Sequence, residues 1–125
     1  MLKNKTIVIV GLGLMGASLA LALRKKFPRS HITGFSSSKD TLRKAKRSGI
    51  IQSGSTEARE VIPGADFVVL ATPLSIEAKK ILEIDRFAKP GLIVTDMGSV
   101  KGKLSQWSDK QKFKNIHFVG SHPMA

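Results

Sequence analysis

An apolar run, Thr6-Ile7-Val8-Ile9-Val10, breaks directly into Gly11-Leu12-Gly13-Leu14-Met15-Gly16, and an alanine- and leucine-rich stretch from Ala17 to Leu23 follows at once. Strand, glycine turn, helix is the context that gives the G-x-G-x-x-G spacing physical content, and it narrows the fold more than any other feature of the chain. Gly11 serves the tight turn, Gly13 lets the backbone approach a pyrophosphate, and Gly16 lets helix and sheet pack closely. Leu14 and Met15 complete the same cofactor loop. The first turns of the helix carry no charged side chain, so free N–H groups and the positive end of the dipole are left for a phosphate. Arg24, Lys25 and Lys26 complement the opposite end. A glycine turn without a ligand is the competing interpretation.

Beyond this motif the chain alternates. Strands are expected at Thr6–Val10, Ile32–Phe35, around Ile51–Gln52, and at Phe67–Leu70, Leu92–Thr95 and Ile116–Val119. Helices are expected from Leu14 to Lys26, Lys39 to Ser48, weakly near Thr56–Ile62, from Thr72-Pro73 to about Ile84, and after Ser99. Phe27-Pro28-Arg29-Ser30 and Lys89-Pro90-Gly91 are turns, because proline disfavours helix before and within itself. Thr72 followed by Pro73 suits an N-cap and first helical position. Six strands alternating with helices predict an α/β fold, a Rossmann-type doubly wound and mostly parallel sheet with helices on both faces.

A chain of 125 residues makes one domain, able to bury roughly two-thirds of its unfolded surface. No run of eighteen apolar residues offers a membrane span, and Ile7–Val10 is too brief for a signal segment. The chain has no cysteine, which excludes disulfides and thiolate metal sites and fits a cytoplasmic protein. No His/Asp/Glu cluster has metal-ligand spacing. Against 21 Lys and Arg stand 9 Asp and Glu, a net charge of +12, which favours anionic partners. The bases are spread over several helices without interleaved aromatics, so they read as solvated faces and nucleic acid ranks last among partners.

In a parallel sheet of this kind ligands bind beyond the carboxyl ends of the strands. Five expected strands end in Gly11–Gly16, Ser36-Ser37-Ser38-Lys39, Ala71-Thr72-Pro73, Asp96-Met97-Gly98-Ser99 and Ser121-His122-Pro123. An NAD site usually places an acidic residue about 20 positions after the glycines to hold the ribose 2′-hydroxyl. Here three serines and Lys39 stand in its place, with Arg43 one turn on. A 2′-phosphate suits that set, so NADP is favoured and NAD is the alternative. His122 is the candidate acid–base group, since imidazole titrates near neutrality. Ser99 reads either as a site residue or as a helix cap alone, and His122 as a base or a turn residue. His31 and His117 fall away from the binding edge, and Trp107 reads as a packing or interface residue.

Four motifs together, Gly11-Leu12-Gly13-Leu14-Met15-Gly16-Ala17-Ser18, Ala71-Thr72-Pro73, Thr95-Asp96-Met97-Gly98-Ser99-Val100-Lys101 and Gly120-Ser121-His122-Pro123-Met124-Ala125, resemble the prephenate/arogenate dehydrogenase family of tyrosine biosynthesis. The resemblance covers the whole chain in order. It implies oxidative decarboxylation of prephenate or arogenate, with hydride passing to the nicotinamide. His122 would receive a hydrogen bond or proton from the ring hydroxyl, with Ser99 beside it. Family members with serine after the second strand tend to use NADP. The resemblance further implies a helical domain, absent from this chain, that forms a homodimer and grips the substrate carboxylate. The 125 residues are therefore expected to bind cofactor without turning over substrate. A stand-alone NADP-binding module and another β-hydroxyacid-type dehydrogenase are the alternatives.

Overall fold

A computed structural model of the chain describes residues 4–72, 74–97 and 107–120, with the side chains of 74–77 outside that description. Six strands, β1 (Thr6–Val10), β2 (His31–Phe35), β3 (Ser53–Ser55), β4 (Phe67–Leu70), β5 (Leu92–Asp96) and β6 (Ile116–Val119), form one sheet in the order β3-β2-β1-β4-β5-β6. All five pairings are parallel. The helices are α1 (Leu14–Lys26), α2 (Lys39–Arg47), α3 (Ala58–Val61) and α4 (Leu74–Phe87). This is the Rossmann strand order, and it reverses direction between β1 and β4.

The central strand explains the layering. Ile7, Val8, Ile9 and Val10 are all buried, and alternate side chains point to opposite faces. Ile7 and Ile9 join Ile32 and Val69 under Ala20 of α1 and Leu42 and Ala45 of α2. Val8 and Val10 join Phe35, Val68, Leu70 and Val94 under α3 and the α4 residues Ile81 and Ile84. Burying each such side chain contributes about 1.5–3 kcal/mol, so the strand that carries the glycine loop is also the best anchored. Beside α1, an apolar cleft of about 260 Å³ lined by Leu19, Leu23, Phe67, Val69 and Met97 leaves part of the β4–β5 face less covered.

Two carboxylates tie strand starts into place. Asp66 accepts from the Thr6 N–H at 2.9 Å and pairs with Lys89. The Lys89 hydrogen bond, helped by the Thr6 N–H, holds its carboxyl below the usual range. Asp85, buried within α4, accepts from the N–H groups of Lys114 (2.9 Å), Asn115 (2.8 Å) and Ile116 (3.0 Å), while the Asn115 amide donates back to the Asp85 carbonyl at 2.9 Å. This clamp seats β6 beside β5.

Most elements lie where the sequence predicts, and the departures have physical causes. The third strand forms at Ser53–Ser55 rather than Ile51–Gln52. Ile51 is 2% exposed as part of the core under α2, and the Gln52 side chain bonds the Ile32 N–H, so the ladder begins one residue later. The second strand starts one residue earlier than expected, at His31, whose ring lies 2.7 Å from Ser53 Oγ. The weak helix shortens to Ala58–Val61, and α4 runs on to Phe87, which brings Asp85 into its clamp. Trp107 packs against the core, its ring 6.2 Å from that of Phe113. The expected helix after Ser99 falls on residues outside those described, apart from a helical turn at 107–109. Among the described residues no helix is long and apolar enough to cross a membrane.

Candidate functional site

Register aligns the carboxyl ends of the strands. Ser55, Phe35, Val10, Leu70 and Asp96 stand in one transverse row, with Val119 opposite Thr95 one residue below. The ladder runs one step past that row: Gly11 N–H donates to Phe35 O at 2.9 Å, Ala71 N–H to Val10 O at 2.8 Å, and Met97 N–H to Leu70 O at 3.1 Å. Gly11, Ala71 and Met97 thus form a continuous lip, and the strand order reverses between the first two.

The three glycines of the loop meet three different surroundings. Gly11 has φ +88°, and a Cβ there would lie 2.7 Å from Thr72 Cγ2 and 3.0 Å from the Ala71 carbonyl oxygen. At Gly16 a Cβ would lie 2.0 Å from the Gly11 carbonyl oxygen and 3.2 Å from Ala71 Cβ. A Cβ on Gly13 would meet nothing within 4 Å. The first two close the turn against the helix and β4, whereas the third faces open space. Gly13 is the N-cap of α1 and offers no side-chain cap. Ladder bonding starts with Ala17 N–H to Gly13 O at 2.9 Å, so the N–H groups of Leu14, Met15 and Gly16 precede it. Leu14 and Met15 are 86% and 56% exposed and flank that open end. No acidic residue stands in the first turn. These are the elements of an anion cradle at a helix N-terminus, and the open approach at Gly13 fits a pyrophosphate.

Across the lip, Thr72 Oγ1 is buried with no hydrogen-bond partner. The sequence predicts an N-cap there, but the hydroxyl makes no capping bond; α4 begins at Leu74 and Pro73 lies outside the described residues. The serine loop is likewise less uniform than its sequence. Ser36 Oγ accepts from the Ser38 N–H at 3.1 Å, and Ser38 Oγ caps α2 by accepting from the Thr41 N–H at 3.1 Å. Ser37, Lys39 and Arg43 are exposed. Asp40 pairs with Lys44 at 3.2 Å, four residues along the helix. Lys80 is not simply solvated: its Nζ lies 4.4 Å over the Phe35 ring and 3.6 Å from Glu83.

Ser99 and His122 lie outside the described residues. The strands that lead to them adjoin, and Thr95 Oγ1 donates to Val119 O at 2.6 Å. From β1 to β6 is three strand spacings, about 14 Å. His31 sits at the amino end of β2, and His117 is an exposed residue within β6. Among the described residues no group of three or more His, Asp or Glu could hold a metal ion. The orphaned Thr72 hydroxyl and the Asp85 clamp are what sequence reasoning missed; neither residue type announces its partners across 60 or 30 positions of chain.

The model of the family described as "Prephenate dehydrogenase, nucleotide-binding domain" matches residues 19–125. Prephenate dehydrogenase of Lactococcus lactis is 37% identical over 97% of this chain and 34% of its own length. The enzyme of that name from Bacillus subtilis is 33% identical over 96% of the chain and 33% of its length. Among solved structures, prephenate dehydrogenase from A. aeolicus in complex with hydroxyphenyl propionate and NAD+ superposes with a TM-score of 0.81 at 32% identity, over 96% of this chain and 42% of that one. The chain thus spans about a third of the length of the curated relatives it matches. Sequence and backbone agree over nearly all of its residues, and the chain belongs to the prephenate dehydrogenase family, as its nucleotide-binding domain.

Proposed function

We propose that the chain is the NADP-preferring cofactor domain of a prephenate or arogenate dehydrogenase that acts in tyrosine biosynthesis. The observation that carries this reading is the pairing of an open Gly13 with a second-strand loop that lacks a carboxylate. The N–H groups at the start of α1 hold the pyrophosphate. Ser37, Lys39 and Arg43 receive the 2′-phosphate, Ser36 and Ser38 keep the loop in shape while each hydroxyl retains a proton to donate, and Ala71 and Thr72 close the opposite wall, with Pro73 next in sequence as a further cofactor-loop residue. The bound nicotinamide supplies the hydride acceptor. His122 takes the proton of the ring hydroxyl as carbon dioxide leaves, and Ser99 orients that hydroxyl. The longer polypeptide found in the relatives supplies the remaining substrate contacts and the dimer interface. NAD is the second reading, because the A. aeolicus relative was solved with NAD+.

Calorimetric titration of the chain tests the cofactor. NADP+ is expected to bind at least tenfold more tightly than NAD+, and Lys39→Glu to invert the order. Equal or reversed affinities in the unaltered chain would remove the NADP preference. His122 is tested in a full-length enzyme carrying this domain. His122→Asn is expected to lower kcat by about 10²–10⁴-fold, the usual contribution of a general base, with NADP+ affinity unchanged. Turnover that survives the change would take the base role away from His122.

A further inference from the structure

We propose that the Thr72 hydroxyl is a dedicated hydrogen-bonding contact to an oxygen of the cofactor's ribose–pyrophosphate backbone, held without a protein partner until the cofactor arrives. The proposal rests on the dinucleotide reading of the site and assigns one atom a role in it. Thr72 Oγ1 is a side-chain polar atom buried without a hydrogen bond, a state that native proteins rarely tolerate. Its methyl explains why the hydroxyl stays put. Cγ2 stands 2.7 Å from where a Gly11 Cβ would be, so methyl and glycine are in tight contact at the turn of the cofactor loop. A β-branched side chain has few χ1 choices, and fixing the methyl fixes the direction of Oγ1. The residue sits between β1 and β4, where the strand order reverses and a dinucleotide crosses the sheet. One side chain thus closes the glycine turn with its methyl and offers a pre-aimed hydroxyl to the ligand.

This arrangement predicts opposite effects of one substitution. Thr72→Val keeps the shape and deletes the unpartnered hydroxyl. The melting temperature of the cofactor-free chain should rise by about 3–5 °C, while affinity for NADP+ and NAD+ falls about tenfold or more. ADP-ribose, which retains both riboses and the pyrophosphate, should lose affinity to the same extent. Thr72→Ser should keep cofactor affinity and lower the melting temperature, because the methyl over Gly11 is gone. A lower melting temperature for Thr72→Val would show that the hydroxyl already has a partner and would overturn the proposal. So would unchanged dinucleotide affinity, or a loss confined to nicotinamide-bearing ligands. If the unaltered chain binds none of the three ligands, the dinucleotide reading itself fails, an outcome separate from a Thr72 variant that binds as well as its parent.

Discussion

Gly16→Ala is expected to cost at least about 3 kcal/mol of folding stability, in the range of severe overpacking, and to lower the melting temperature by about 10 °C or more. The added Cβ would sit 2.0 Å from the Gly11 carbonyl oxygen, a backbone atom in a turn already set at φ +88°. Ala71 closes the other side at 3.2 Å, so α1 must move away from the loop. Gly13→Ala is the matched control. Nothing lies within 4 Å of its Cβ position, and the fold should tolerate the methyl within about 0.5 kcal/mol. The methyl would stand where the pyrophosphate is expected, so cofactor affinity should fall at least tenfold while the melting curve barely moves. Thermal unfolding and titration of both variants check the pair. Similar stability losses at positions 13 and 16 would contradict the assignment of packing to one glycine and ligand approach to the other.

Asp85→Ala should be nearly as damaging although it lies far from the glycine loop in sequence. One carboxylate serves three successive N–H groups at 2.8 to 3.0 Å. Its removal leaves donors around the buried Ile116 unsatisfied. Each unsatisfied buried group costs about 1–3 kcal/mol, and water reaching the more exposed Lys114 recovers part of that. A net loss of about 3 kcal/mol follows, a large share of the 5–15 kcal/mol typical of a domain. Asp85→Asn should recover only part of it, because the amide nitrogen turns a donor toward a donor. Hydrogen exchange adds a local readout: the amides of residues 114–116 should lose protection before those of β1. If β6 keeps its protection in Asp85→Ala, the clamp is not what seats that strand.

The elements legible in sequence are those set by local rules. β1 and β4 are continuous apolar runs buried on both faces, β6 ends its run at Val119, and α1 begins where the glycines stop. The third strand was less legible because Ser53-Gly54-Ser55 has no hydrophobic pattern of its own and exists only by pairing with Thr33–Phe35. Chemistry in the serine loop was legible as composition but not as roles. Three adjacent hydroxyls look alike until Ser36 and Ser38 are spent on local backbone bonds and Ser37 is left facing solvent.

By itself the sequence determined the strand–glycine–helix unit, the alternation that leads to a parallel sheet, and the absence of a carboxylate after β2. Those features follow from side-chain periodicity, turn chemistry and charge, all of which act between near neighbours. Only the tertiary structure decided that Gly16 is closed and Gly13 open, that Thr72 sets its methyl against Gly11 and leaves its hydroxyl unpaired, and that Asp85 holds the start of β6. The physical reason is that steric contact and hydrogen-bond satisfaction are set by atoms brought together across the sheet, which no local pattern along the chain encodes.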